Sequence, residues 1–154
     1  MFGLAAYIAQ VIEHGALNLA IVLNLPKPST TTQQAFDELY DSLSKKTFGR
    51  LLKSNRTKLR LSEADENLLY EALDLRNKLI HHFFREHAEN FVSAAGRKIM
   101  MQELQAIISK LSDADDLLTN IYTPLWAKYG VTQEFVDQQL EQMRQRALQR
   151  DTNT

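Results

Sequence analysis

Five glycines and three prolines in 154 residues leave this chain little material for tight turns, so it has to be built from a few long elements. Apolar residues recur at helical spacing and nowhere alternate as a strand requires. Leu68, Leu69, Ala72, Leu73, Leu75, Leu79 and Ile80 form one such face. Ile99, Met100, Leu104, Ile107, Ile108, Leu111, Leu117 and Leu118 form another. The expected fold is an all-α bundle of about five helices in a single domain spanning 1–154. No cysteine is present, which rules out disulfides and thiolate metal sites and fits a reducing, cytoplasmic setting.

The expected helices run over residues 3–24, about 33–42, a turn or two from Thr47 to Lys53, 62 to about 90, 97–121 and 133 to about 148. Ser54 to Arg60 is expected as a loop, and Ser93-Ala94-Ala95-Gly96 as a break. Pro26 and Pro28 stop the first helix, and the Ser/Thr run after them supplies a cap for the second. Ser62-Glu63-Ala64-Asp65 opens the longest early helix with a capping-box-like start and acids in the first turn. The first helix is apolar nearly all round. Gln10, Glu13, His14 and Asn18 interrupt it, and no basic segment or cleavage site flanks it, so the expectation is a buried helix and no membrane partner. Gln10, His14 and Asn18 share one stripe with Glu13 beside it. They are either satisfied core polars or the wall of a functional cleft. The last helix is polar and Gln-rich, with a narrow stripe of Phe135, Val136, Leu140 and Met143. That suits a peripheral helix or a partner contact.

A net charge of −1 argues against a uniformly basic nucleic-acid binder. Charge is nevertheless uneven. Lys45, Lys46, Arg50, Lys53, Arg56, Lys58 and Arg60 lie within 16 positions that hold no acid. Such a block is either a solvated face or a source of phosphate contacts. Lys46, Arg50 and Lys53, spaced four and three apart, are the candidates for RNA binding on one helix face. Phe48 is the only aromatic among them, so no stacking platform for bases is present.

The densest chemistry is Arg76-Asn77-Lys78-Leu79-Ile80-His81-His82-Phe83-Phe84. An arginine fork can neutralise phosphoryl oxygens, an amide can orient them, and an imidazole titrates near neutrality. Asn77 and His81 are about 40° apart around a helix, whereas Arg76 and His81 are about 140° apart, so these two flank a site without touching. His82 points about 100° from His81 and has a supporting role at most. A capping role for the histidines at the helix end competes with catalysis. His82, Glu86 and His87 could approach one another, but the paired Glu-x-x-His pattern of a di-iron bundle is absent, and neither a metal nor any other cofactor is expected. Nucleophilic triads and phosphate-binding glycine loops are absent as well.

Arg-Asn-x-x-x-His followed by an aromatic, late in a helix of a small helical protein, resembles the HEPN domains of prokaryotic ribonucleases. Thr47-Phe48-Gly49-Arg50-Leu51-Leu52 is similar to bacterial members too, and the resemblance spans about Leu4 to Tyr122, with the helix at 133–148 peripheral. It implies a homodimer with a composite site and metal-independent endoribonuclease activity. Arg76, Asn77 and His81 would be catalytic; the polar stripe of the first helix adds Glu13 and His14 as supporting candidates, and helix geometry leaves His82 in such a role. Toxin–antitoxin and phage-defence settings follow from the family, with RNA and an antitoxin protein as partners. Some members are inactive scaffolds that bind RNA or protein. Many toxins of this type carry a tyrosine two residues after the histidine, which a partner enzyme modifies. Here that position is Phe83, which puts that neutralisation route in doubt.

Overall fold

A computed structural model describes residues 1–152, and among them every regular element is helical. The chain forms α1 (Phe2–Asn24), a 3-10 turn (Pro28–Thr30), α2 (Gln33–Leu43), α3 (Phe48–Leu59), α4 (Glu63–His81), α5 (Phe83–Glu86), α6 (Ala88–Phe91), α7 (Ala94–Ala127) and α8 (Gln133–Thr152). The all-α class read from the sequence therefore stands.

The centre of the bundle is α1, which packs along α7 and is also covered by α2, α3 and α4. Its 23 residues are long and apolar enough to cross a bilayer, yet Ala5, Ala9, Ile12, Ala16, Leu19, Ala20 and Ile21 are buried inside the protein's own core. Small residues on α1 let α7 approach closely: a methyl added at Gly15 would lie 3.2 Å from Asp115 Oδ1 and 3.4 Å from Leu118 Cδ1. Leu104, Ile107, Leu111, Ala114 and Leu118 supply the matching face of α7 at three- and four-residue spacing. A polar clamp closes the far end of α1. Asn24 Nδ2 donates to Ala20 O (2.7 Å) and to Asn55 Oδ1 (2.8 Å), and Lys58 reaches the Asn24 side-chain oxygen.

Local signals set several boundaries. Thr32, Ser62 and Ser93 accept hydrogen bonds from the backbone N–H groups of Ala35, Asp65 and Gly96, capping α2, α4 and α7. Three expectations need correction. Ser54–Arg60 is not a loop: α3 continues to Leu59 because Leu51, Leu52 and Asn55 form a buried stripe, and Arg60 ends it in the left-handed region at φ 46°. The motif helix does not run to Asn90 but stops at His81. His82 takes φ −128° and two single-turn helices follow. Finally, α7 extends beyond Ile121 through Pro124 to Ala127, where Trp126 packs on Phe36 and Tyr129 Oη donates to Pro26 O (2.7 Å).

The break after His81 is held from a distance. The Asn90 backbone crosses directly over Gly96, where a Cβ would sit 2.2 Å from Asn90 O and 2.4 Å from Asn90 Cα. Gly96, expected in a break, is instead a contact residue inside α7. Gly96→Ala forces α6 off α7 and is expected to cost about 1–3 kcal/mol. A thermal melt of the variant that matches the parent would contradict this packing.

Candidate active site

Glu13 and His14 leave α1 on the side facing α4, while Arg76, Asn77 and His81 project from the last turns of α4. All five side chains line one cleft of about 560 Å³, together with Lys46 and Thr47 from the α2–α3 turn. Its floor is apolar, made by Leu17, Leu43, Phe48, Leu51 and Leu73. A low-polarity floor under a ring of charged groups strengthens electrostatic contacts at the rim.

Within the cleft Arg76 is positioned by two neighbours. Its Nε pairs with Glu13 Oε1, and one terminal nitrogen donates to Asn77 Oδ1 at 3.1 Å. A guanidinium carries five N–H donors, so three remain for an incoming anion. Arg76 and Asn77 are half-buried, whereas His14 and His81 are exposed at the mouth. Two imidazoles thus share one opening with a fixed guanidinium.

The polar stripe expected along α1 divides. Glu13 and His14 face the cleft, Gln10 is exposed away from it, and Asn18 lines a different concavity with Phe36, Tyr122 and Trp126. The basic block divides too. Lys46, Arg50 and Lys53 do not form one helical face, because Lys46 precedes Thr47, the N-cap of α3. Lys46 alone lines the cleft, and Arg50 and Lys53 are exposed elsewhere on α3. Arg56 pairs with Glu66, and Lys58 caps α1, so part of the block holds the fold together. Ser44 and Thr47 are cleft residues that the sequence did not reveal. Thr47 stands at the N-cap of α3 but makes no side-chain cap bond, and it lines the wall of the cleft.

Of the three clustered histidines only His81 lines the cleft, although the His82 ring stays next to it, edge to face with centroids 6.1 Å apart. His82 lies outside the cleft, exposed, with Nδ1 2.9 Å from an Arg85 terminal nitrogen. His87 is buried against Phe83, its Nε2 2.8 Å from Glu103 Oε2 and its Nδ1 3.0 Å from Asn90 Nδ2. An amide nitrogen can only donate, so Nδ1 accepts and Nε2–H donates to Glu103. Glu86 turns to Lys78 at 3.4 Å. Among the described residues no group of three or more His, Cys, Asp or Glu side chains converges as a metal site would require. Phe83 is fully buried between Phe2, Phe84 and His87, so the position two residues after His81 belongs to the core.

Behind the cleft, Lys78, Glu103, His87 and Asn90 tie the end of α4 to α6 and α7. A hydrogen bond from Lys78 holds the Glu103 carboxyl below the usual carboxylate range. Burial opposes this, and contacts with Lys78 and His87 add to it. The same bond raises Lys78. An acid with a depressed folded-state pKa stabilises the fold above its unfolded value, and that contribution disappears as pH falls through the folded value. Glu103→Gln is therefore expected to lower stability by roughly 1 kcal/mol at pH 7, after allowance for its partial exposure. Parent and variant should converge in acid below the carboxylate range. A deficit of equal size at both pH values in chemical denaturation would refute the assignment. No family model, curated protein or solved structure matches the chain, so the geometry of the cleft has to carry the functional conclusion.

Proposed function

We propose that this protein is a metal-independent endoribonuclease of HEPN type, working in the cytoplasm in a toxin–antitoxin or phage-defence setting. The observation that carries the proposal is the convergence of Glu13, His14, Lys46, Arg76, Asn77 and His81 on one cleft. RNA offers its own nucleophile. The 2′-oxygen attacks the adjacent phosphorus and loses its proton to an imidazole, while the 5′-oxygen leaves and takes a proton from a second acid. The products are a 2′,3′-cyclic phosphate and a 5′-hydroxyl. His81 and His14 are the two imidazoles at the mouth, one to take the 2′-hydroxyl proton and one to protonate the leaving oxygen. The free donors of Arg76 neutralise the non-bridging oxygens as charge builds there, with Asn77 and Glu13 fixing the fork. Lys46 adds a point charge for the flanking phosphate.

A two-fold pairing of subunits across this face completes the proposal. Leu4 and Tyr7 on α1, Ile80 on α4 and Phe84 on α5 are exposed, and the Phe2 ring lies tilted against Phe84 with centroids 4.7 Å apart. Large apolar side chains left on one face suit an isologous contact that brings two clefts together. Phe83 is buried and has no hydroxyl, so neutralisation by modification at that position is not part of the proposal. A second function is favoured by one observation. Arg76 already has a carboxylate and an amide as partners, as a structural arginine would, and a non-catalytic scaffold binding RNA or protein could keep that arrangement.

Cleavage of a mixed RNA by the purified protein separates the two. Arg76→Ala and His81→Ala are each expected to lower the rate at least about 100-fold, and His14→Ala by about tenfold or more; melting temperatures stay unchanged for the histidine variants and fall for Arg76→Ala, which leaves Glu13 unpaired. A scaffold would show no cleavage in any form, and equal rates in all forms would assign the cleavage to a contaminant. Lys46→Ala is expected to weaken RNA binding and reduce its salt slope by about 1, while Arg50→Ala and Lys53→Ala change it less. Equal effects from all three lysine and arginine variants would place RNA on the outer face of α3 and away from the cleft.

A further inference from the structure

The last helix, α8, leaves the bundle after its first turn: Gln133, Phe135 and Val136 still line concavities with Phe36 and Trp126, but no other helix packs extensively along α8, and its side chains from Gln133 to Arg150 are exposed. A 20-residue helix standing alone is marginal in water, yet α8 carries an apolar seam. Val136, Leu140, Met143 and Ala147 follow one another at four, three and four residues, the spacing of a coiled-coil contact line. Leu140 and Met143 in its middle are 57% and 63% exposed.

Charge along α8 identifies what covers that seam. Glu134, Asp137 and Glu141 are its acids up to Gln142, and beyond it lie Arg144, Arg146 and Arg150 with one acid, Asp151, next to its end. This order suits the helix dipole, and bonds from Gln133 to Asp137 (2.8 Å) and from Gln145 to Glu141 (2.6 Å) help keep the helix wound. It is also self-complementary, but only head to tail. A second α8 laid parallel would set acid on acid and arginine on arginine.

We propose that α8 pairs antiparallel with α8 of a second copy of this chain, about a two-fold axis near Glu141 and Gln142. Val136 then faces Ala147 of the second copy, and Leu140 faces its Met143. Flanking the seam, Asp137 lies beside Arg144 of the second copy, twice per pair. The contact is remote from the cleft and independent of any RNA chemistry.

The chain has no native cysteine, so introduced ones report alone. Val136→Cys and Ala147→Cys chains, purified separately, mixed and mildly oxidised, are expected to give a disulfide-linked dimer. Val136→Cys alone is expected to give none, because in this register the two copies of that position are about 16 Å apart along the axis. Adding Leu140→Glu and Met143→Glu should abolish the crosslink while the bundle melts as before. In sedimentation of the otherwise unmodified chain, Asp137→Arg should weaken association through α8 about tenfold, and combination with Arg144→Asp should restore it. A crosslink by Val136→Cys alone means a parallel pair and overturns the proposal. So does the lack of a mixed crosslink, or one that survives both glutamates.

Discussion

The ion pair between Glu13 and Arg76 joins α1 to α4 where the core gives way to the cleft, and most of the site geometry depends on it. Arg76 is half-buried over an apolar floor, and a guanidinium there without a partner would bear an uncompensated desolvation cost. Glu13 supplies the partner and fixes the fork, and Asn77 adds a second restraint from the same helix. Three donors are left over in the cleft for an anion. A rigidly held guanidinium loses less entropy on binding phosphate than a free one, which is what a site built for charge stabilisation requires.

That pair is secured by the surrounding bundle. Gly15, one residue beyond His14, packs against Asp115 and Leu118 of α7, which fixes the rotation of α1 and so the direction of Glu13 and His14. At the other wall, the end of α4 is anchored from behind by Lys78 on Glu103 and by His87 between Glu103 and Asn90. Burial of Phe83 and His87 turns the chain at His82, so that the helix ends at His81 and leaves that imidazole exposed at the mouth. One of the clustered histidines thus lines the cleft, one is a surface group and one is a structural pin.

Much of this was legible in the sequence, and what was missed has physical reasons. Serine and threonine caps act within one turn, so Ser62 and Thr32 announced their helices correctly. The Arg76-Asn77-His81 spacing marked the motif, and the stripe on α1 marked Glu13 and His14 as possible cleft residues. The extension of α3 was hidden because its outer face is basic and polar, so the periodicity of Leu51, Leu52, Asn55 and Leu59 was easily read as loop composition. The stop at His81 was invisible because its cause is the crossing of Asn90 over Gly96 and the pairing of His87 with Glu103, contacts made only after folding. Lys46 was placed on the wrong surface because its neighbours suggested a helix that begins two residues later, at Phe48.

The four histidines permit one direct test, because each sits in a different environment and has its own imidazole carbon-bound proton signal. Proton NMR of the protein titrated with a 2′-deoxy-substituted, uncleavable oligonucleotide reads all four at once. His14 and His81 should shift together and saturate at the same concentration, while buried His87 stays fixed. Binding that leaves both cleft histidines unmoved would contradict the central claim that one cleft, ordered by Glu13 and Arg76, receives the phosphodiester.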